Sequence, residues 1–252
     1  MEKNKTESIL EDELEQDLDT VKSLVREPIR QMMVNGYIFD VYKDLDLRYP
    51  PIIGVDVSGG YNQGSSAIVI IDSVTTEVSA VLNRNYISTT NLAKVLYTLV
   101  TNYMPNAIVN IERNGEFGTS VLSKLVKTSI KKNLYYEIKD KIVEERVEQY
   151  AKMVKQTQRV KVYGLDYTKA VRDNLIEILR ERMELHKDKF ISQLQTLEVK
   201  RNGKVEHSDN GHDDTIFAYL MALYVWYGMV MISKEVIKNR PRFRRSIWRY
   251  RN

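Results

Sequence analysis

Four acidic residues lie within or next to apolar segments, where a charged side chain is unusual. Asp56 lies inside the apolar run IIGVDVS, and Glu112 closes the apolar run NAIVNIE. Asp213 and Asp214 are adjacent in GHDD, directly before a long apolar segment. Burying a carboxylate is costly unless it is paired or bound to a cation, so we expect these acids to share a site. Converging carboxylates suit hard divalent cations, which can stabilise the attacking and leaving oxygens of phosphoryl transfer.

Each of these acids also has an ordinary structural explanation. Asp56 could accept hydrogen bonds from amides of the turn that follows it, although its apolar flanks favour a metal ligand. Glu112 could pair with the neighbouring Arg113. One member of the Asp213 and Asp214 pair suits capping of the following helix. Adjacent helical residues face different directions, so we expect the pair to divide capping and metal binding, and spacing leaves open which residue binds metal.

The segment GVDVSGGYNQGSSAIVIID resembles a phosphate-binding loop at first sight. Gly59, Gly64 and Ser66 occupy positions of the pattern G-x-x-x-x-G-K-[ST]. Ser65 stands where that pattern needs its lysine, and a β-branched run follows in place of a helix. The segment therefore predicts a hairpin between two strands, with Asp56 on the first strand.

The elements that must position the acids follow from hydrophobic periodicity. Three strands are predicted after Pro50-Pro51, then a helix with a Thr-Thr cap, the strand NAIVNIE, and a helix capped at Thr119 or Ser120. A strand NLYYEIK, an amphipathic helix DYTKAVRDNLIEILRERM, a hairpin at Asn202-Gly203 and a long apolar helix complete the order. This order predicts an α/β fold with a central mixed β-sheet flanked by helices, the ribonuclease H-like arrangement.

Composition excludes several classes of protein. The 252 residues contain no cysteine, which excludes disulfides and zinc-thiolate sites. No secretory signal pattern opens the sequence, so cytoplasmic residence is the default expectation. The uncharged stretch Thr215–Ser233 approaches the length of a membrane span. It follows two acids and contains tyrosines and a glycine, so we expect no membrane association and interpret the stretch as a buried helix.

Basic residues supply weak candidates for DNA contact. The net charge is +4. Lys124, Lys127 and Lys131 are spaced to share a helix face, and Arg244 and Arg245 belong to the basic tail RPRFRRSIWRYRN. Such groups can contact phosphates, but a solvated helix face and a disordered terminus are the ordinary alternatives.

Several quoted segments together resemble one family. The segments DVSGGYNQGSSAIVIID, IVNIERNGEFGTSVLSKL and EHSDNGHDDTIFAYLMAL resemble the C-terminal nuclease domain of the large terminase subunit of tailed bacteriophages. The resemblance runs from about Ile53 to Tyr227. It implies a metal-dependent endonuclease that hydrolyses phosphodiester bonds of concatemeric double-stranded DNA during genome packaging. It also implies two divalent metal ions, Mg²⁺ or Mn²⁺, with the portal protein and the small terminase subunit as partners in the host cell cytoplasm.

The resemblance assigns roles to individual residues. It implies that Asp56, Glu112 and the Asp213 and Asp214 pair are the catalytic metal ligands. Asn114 and His212 lie beside these acids in the sequence, and we expect them to orient ligands or water.

The resemblance also predicts a division into domains. We expect an acidic, partly helical lead-in at 1–50, a nuclease domain at 51–232 and a basic tail at 233–252. A complete large terminase carries a packaging ATPase with a Walker motif, and no G-x-x-x-x-G-K-[ST] occurs here, so we expect an excised nuclease domain. The alternative hypotheses are an ATPase like actin or the sugar kinases and a non-catalytic module that docks on the portal or DNA.

Overall fold

A six-stranded mixed sheet forms the centre of the fold. The computed structural model describes residues 27–59, 65–113, 115–147, 152–166, 168, 171, 175–176, 193, 197–199, 205–208 and 212–238. The strands of the sheet are β1 (Arg30–Val34), β2 (Tyr37–Val41), β3 (Ile52–Asp56), β4 (Ser66–Ile71), β5 (Val78–Arg84) and β6 (Ile108–Ile111). Their spatial order is β1-β2-β5-β4-β3-β6. All neighbouring pairs are antiparallel except β3 and β6, which are parallel.

Three described helices and two separate strand pairs accompany this sheet. The helices are α1 (Thr89–Thr98), which continues into a π-helical turn Leu99–Tyr103, α2 (Gly115–Leu125), and α3 (Asp214–Lys238). A 3₁₀ turn, Ser129–Asn133, follows α2. The strand pairs are β7 (Tyr136–Val147) with β8 (Lys152–Tyr163), and β9 (Leu197–Val199) with β10 (Val205–His207).

The two faces of the sheet are covered by different helices. Along β3, Ile53 and Val55 belong to the hydrophobic cluster that includes residues of α1 and α2. Ile52 belongs to the cluster built on α3. Successive residues of a strand point to opposite faces, so Gly54 and Asp56 share the α3 face with Ile52. The predicted α/β architecture with helices on both faces of a mixed sheet is confirmed.

Helix α3 is buried over its first turns. Every residue from Asp213 to Leu223 is buried, and Tyr219 is among the largest fully buried side chains. A helix that is enclosed on all sides is expected to be apolar all round, which accounts for the uncharged stretch in the sequence. Within the described ranges, no helix combines the length and apolar character needed to cross a bilayer.

Several predicted elements need correction. Residues 30–41, predicted to lie in a partly helical lead-in, form β1 and β2, which pair with the sheet. Helix α1 is capped by the Ser88 side chain, which accepts from the Asn91 amide, and not by the two threonines. Helix α2 begins at Gly115, ahead of the predicted cap at Thr119 or Ser120.

The region after α2 also differs from the predicted order. The last four residues of the predicted strand NLYYEIK begin β7, which starts at Tyr136, extends to Val147 and pairs with β8, a strand that the prediction lacked. The predicted pairing around Asn202-Gly203 is confirmed by β9 and β10, whereas the turn itself lies outside the described residues. Of the amphipathic helix predicted after Gly164, Leu175 and Ile176 are helical and buried, and most of the remainder lies outside the described residues.

Candidate active site

Two parallel strands bring Asp56 and Glu112 to the same edge of the sheet. Asp56 is the last residue of β3, and Glu112 directly follows β6. The register pairs Val55 with Ile111, and the Glu112 amide donates to the Val55 carbonyl over 3.1 Å. Parallel strands end at a common edge, so the two acids are neighbours because their strands are.

Strand alternation turns both acids towards α3. Two residues before Asp56, a side chain on Gly54 would collide with the Ala218 carbonyl, so the backbones of β3 and α3 touch there. Two residues before Glu112, the Asn110 side-chain amide donates to the Met221 carbonyl over 2.9 Å. Positions two apart share a face, and Asp56 and Glu112 therefore lie on the face that α3 covers.

The N-terminus of α3 brings the second pair of acids to this edge. The His207 amide donates to Asp213 Oδ2 over 3.1 Å. The Ser65 hydroxyl donates to Asp214 Oδ2 over 3.0 Å, and both aspartates are buried. The contact with Ser65 joins Asp214 to the start of β4, the neighbour of β3 in the sheet.

Helix capping at α3 falls to a residue that the sequence did not indicate. The amides of Thr215 and Ile216 donate to Gln193 Oε1 over 3.1 and 3.3 Å. These are the amides that an N-cap side chain normally accepts, and we expected Asp213 or Asp214 to take them. Gln193 thus satisfies the helix end and leaves the side chain of Asp214 bonded to Ser65.

Asp56 lies in an environment that opposes its ionisation. Burial raises the pKa of Asp56 well above its usual range. The Glu112 carboxyl raises the pKa further through charge repulsion and a hydrogen bond between the two acids, and the charges of Asp214 and Asp213 act in the same direction. The charged groups of the described residues that act on Asp56 are all acids, so negative charge is concentrated around this side chain.

Asp214 shows the same tendency with partial compensation. Burial raises the pKa of Asp214, while the hydrogen bond from Ser65 and the charge of His212 oppose the rise. His212 Nδ1 lies 3.7 Å from Asp214 Oδ2, and the histidine side chain is exposed. His212 therefore lies beside Asp214, and its expected role in orienting ligands or water stays a prediction.

The side-chain oxygens at this edge of the sheet are suitable ligands for a hard divalent cation. Its groups are the carboxylates of Asp56, Glu112, Asp213 and Asp214 and the hydroxyl of Ser65, all oxygen donors of the type that Mg²⁺ and Mn²⁺ prefer. A divalent cation would also supply the missing positive charge. Among the described residues, however, no three acidic or histidine side chains are grouped closely enough to hold a metal ion. The assignment of these four acids as metal ligands stays a prediction.

Among the remaining predicted site residues, the three lysines do not gather at this edge. Asn114, Arg244 and Arg245 lie outside the described residues. Lys124 is in the last turn of α2, a helix that begins three residues after Glu112 and rises about 16 Å over its length. The Lys124 ammonium bonds Ser120 Oγ over 2.6 Å. Lys127 and Lys131 follow the helix and are exposed, so these lysines lie at the end of α2 away from the acids.

Two structural features near Glu112 escaped the sequence analysis. A side chain on Gly118 would collide with the Glu112 carbonyl, so the first turn of α2 rests directly on this residue, which explains the second glycine of ERNGEFG. The chain leaving β8 also passes along Glu112, where the Arg113 amide donates to the Leu165 carbonyl over 2.9 Å. Asp166 then pairs with Arg113 and with Lys139 of β7, which ties the β7–β8 pair to the site edge.

Comparison with solved structures gives matches to one kind of domain. The structure of the large terminase nuclease from thermophilic phage G20c has a TM-score of 0.56 and 16% identity, and the match covers 81% of this chain and 95% of that chain. The same nuclease with bound cobalt gives 0.55 and 17% over 81% and 94%, and with bound magnesium 0.50 and 15% over 81% and 94%. No protein-family model and no curated protein matches the sequence.

These matches bear on the fold. At such low identity they establish a shared architecture, which is ribonuclease H-like, as the order of elements predicted. The chain spans nearly the whole of the solved domains it matches. This protein therefore has the fold of the large terminase nuclease domains.

Proposed function

We propose that this domain is a divalent-metal-dependent endonuclease that hydrolyses phosphodiester bonds of double-stranded DNA. The observation that carries the proposal is the contact between Asp56 and Glu112 at the ends of two parallel strands, facing Asp213 and Asp214. The fold shared with phage nucleases supports the same chemistry. A structural role would ordinarily pair these acids with cations, and the charged groups that act on Asp56 are acids.

The chain's own residues supply the binding part of this chemistry. Asp56, Glu112 and one or both of Asp213 and Asp214 would hold the metal ions, two of Mg²⁺ or Mn²⁺ in this proposal. Bound ions of this class lower the pKa of water and stabilise charge on the oxygens of a phosphodiester. Ser65 and Gln193 hold the α3 end in place through Asp214 and Thr215, so the acids keep their positions relative to the strands.

The biological setting follows from the same resemblance. The solved domains that this chain matches are named as large terminase nucleases of phages, so we propose a role in cutting concatemeric DNA during genome packaging. The portal protein and the small terminase subunit are the proposed partners, and the host cell cytoplasm is the proposed location. Binding of DNA through phosphate contacts would give cleavage with little sequence preference and a binding affinity that depends strongly on salt.

Incubation of supercoiled plasmid with the protein at low salt tests the proposal. With Mn²⁺ or Mg²⁺ we expect nicked and linear DNA, and with EDTA no cleavage. Asp56→Asn keeps the shape of the side chain and removes its charge, so it should abolish cleavage. Asp44→Asn removes an acid whose side chain is exposed and pairs with Arg30, and it serves as the matched control that should cleave normally.

The rival hypotheses give different results in the same experiment. If the plasmid stays intact with either metal at every low salt concentration tested, the endonuclease proposal is contradicted. Hydrolysis of ATP without cleavage would favour the kinase-like alternative. Retention of plasmid on the protein without any hydrolysis would favour a docking module.

A further inference from the structure

A cavity of about 530 Å³ adjoins the acidic edge and is not used by the proposed metal chemistry. Its wall is shared with the site, because Ser65 lines the cavity and donates to Asp214. The residues of its lining that bear on ligand binding are Ser65, Asn83, Arg84, Tyr86, Gln193 and His212.

The strand register places this cavity on the same face as Asp56. Asp56 pairs with Ala67 of β4, and Ala67 pairs with Asn83 of β5. Residues directly opposite each other in antiparallel strands point to the same side, and the Asn83 amide indeed donates to Thr215 Oγ1 of α3 over 3.1 Å. Two strand spacings separate Asp56 from Asn83, which is about 10 Å.

Two polar groups of the cavity, on Asn83 and Arg84, are available to bind a ligand. Within the described part of the chain, Asn83 Oδ1 is buried without a hydrogen-bond partner. Arg84 is exposed, and no carboxylate of the described residues forms an ion pair with it. A hydrogen-bond donor of a ligand can satisfy the Asn83 carbonyl oxygen, and an anionic group can pair with the Arg84 guanidinium.

Tyr86 places an aromatic ring at this cavity in an unfavourable backbone conformation. The residue has a φ of 65°, and 68% of its surface is exposed. Gly or Asn adopts this left-handed conformation at lower cost, so backbone preference does not account for a tyrosine here. An exposed ring beside an arginine is the usual combination for holding a base and its phosphate.

We propose that this cavity is a subsite for one nucleotide of the cleaved strand, with its phosphate on Arg84 and its base stacked on Tyr86. The inference rests on the proposed nuclease function. Asn83, in the wall of the cavity, lies about 10 Å from Asp56, so the subsite holds a nucleotide close to the cut. A base stacked on Tyr86 is unpaired, so the subsite favours DNA that is single-stranded near the cut.

Binding of a fluorescein-labelled single-stranded oligonucleotide in EDTA, followed by anisotropy, tests the base contact without cleavage. Tyr86→Ala should weaken binding at least about fivefold, because base stacking on an aromatic side chain is lost. Tyr86→Phe keeps the ring and should bind as the parent does. Tyr103→Ala, an exposed tyrosine of the π-helical turn after α1, is the matched control and should also bind as the parent does.

The salt dependence of the same binding tests the phosphate contact. Arg84→Ala should reduce the slope of log affinity against log salt by about 0.7, the contribution of one phosphate contact on a single strand. Lys132→Ala removes an exposed cation of the 3₁₀ turn after α2 and should leave the slope unchanged.

Two sets of results separate the subsite from the nuclease proposal. Parent-like binding by Tyr86→Ala and Arg84→Ala, equal weakening by Tyr86→Phe and Tyr86→Ala, or no binding by the parent would overturn the subsite. Manganese-dependent plasmid cleavage by the parent would still support the nuclease proposal in each of those cases. Absence of that cleavage, with the expected losses in both variants, would overturn the nuclease proposal and keep the nucleotide subsite.

Discussion

Asp56 and Asp72 are acids at opposite ends of two neighbouring strands; Asp72 is buried and Asp56 is half-buried. Asp56 ends β3 and Asp72 follows β4, and these strands are antiparallel neighbours. Burial acts to raise the pKa of both residues. The pKa of Asp72 is nevertheless lowered, because the amides of Val74 and Thr75 and the ammonium of Lys43 stabilise its charge. The pKa of Asp56 rises, because its neighbours are acids.

This difference is the one expected between a structural acid and the proposed metal ligand. The Val74 amide donates to Asp72 Oδ1 over 2.7 Å, and Lys43 Nζ lies 3.4 Å from Oδ2, so the turn after β4 and a lysine that follows β2 together compensate for burial. Among the described residues, no cation acts on Asp56 in this way, and a bound metal ion would supply the missing positive charge. Burial raises the pKa of both acids, and charge compensation is present at Asp72 but not among the charged groups that act on Asp56.

The largest expected effect is on cleavage. Asp56→Asn should lower the rate of duplex cleavage in Mn²⁺ by more than about 100-fold. Removing a residue that only hydrogen-bonds to a metal ligand can already cost up to about 100-fold, and here the ligand itself is lost. Asp72→Asn should cleave within about twofold of the parent when both are assayed well below their melting temperatures. Single-turnover cleavage rates at saturating protein measure this difference. Equal losses of rate in Asp56→Asn and Asp72→Asn would contradict the distinction between the two acids.

The second effect is stabilisation by metal. Manganese at 100 times its dissociation constant should stabilise the parent and Asp72→Asn by about 2.7 kcal/mol. Asp56→Asn should gain much less, because a ligand is missing. Melting temperatures with and without Mn²⁺ test this, and an identical shift in Asp56→Asn would place the metal elsewhere.

The third effect is loss of stability at the structural acid. Asp72→Asn should lower the free energy of unfolding by about 2 kcal/mol, because hydrogen bonds from two amides to a charged acceptor are weakened. The folded pKa of Asp72 is below its unfolded value, so its contribution is complete above the unfolded pKa of about 3.9 and disappears as the pH falls through the folded pKa. Urea unfolding between pH 7 and pH 3 should show the parent and the variant converging in acid. A gap that stays constant would contradict this account.

The smallest effect has the opposite sign. In EDTA, Asp56→Asn should raise the free energy of unfolding by about 1 kcal/mol, because a desolvated charge beside other acids is removed. Chemical unfolding of the parent and the variant measures this difference. A variant less stable than the parent in EDTA would show that the acids support the fold.

Local patterns account for what the sequence predicted correctly. The runs IIGVDVS and NAIVNIE are apolar because β3 and β6 are largely buried between the helices on the two faces of the sheet, and an acid at the end of such a run is conspicuous. The buried α3 was recognised for the same reason. The strands β1 and β2 were missed although Asn35-Gly36, with φ of 50° and 81°, is a recognisable hairpin turn.

Tertiary contacts account for what the sequence did not show. Ser65 bonds Asp214 across 149 positions of sequence, and Gln193 caps α3 from outside the helix. Neither contact leaves a local pattern, since both depend on how separate elements pack. The pair β7 and β8 is rich in charge, and its strands alternate without a long apolar run, so only β7 was partly predicted.

The most direct test of the central claim is anomalous diffraction at the manganese edge from crystals soaked in Mn²⁺. We predict an anomalous peak in contact with the carboxylates of Asp56 and Glu112 and none at Asp72. A fully occupied manganese peak elsewhere, with no density touching Asp56 or Glu112 in a protein that cleaves DNA, would contradict the account.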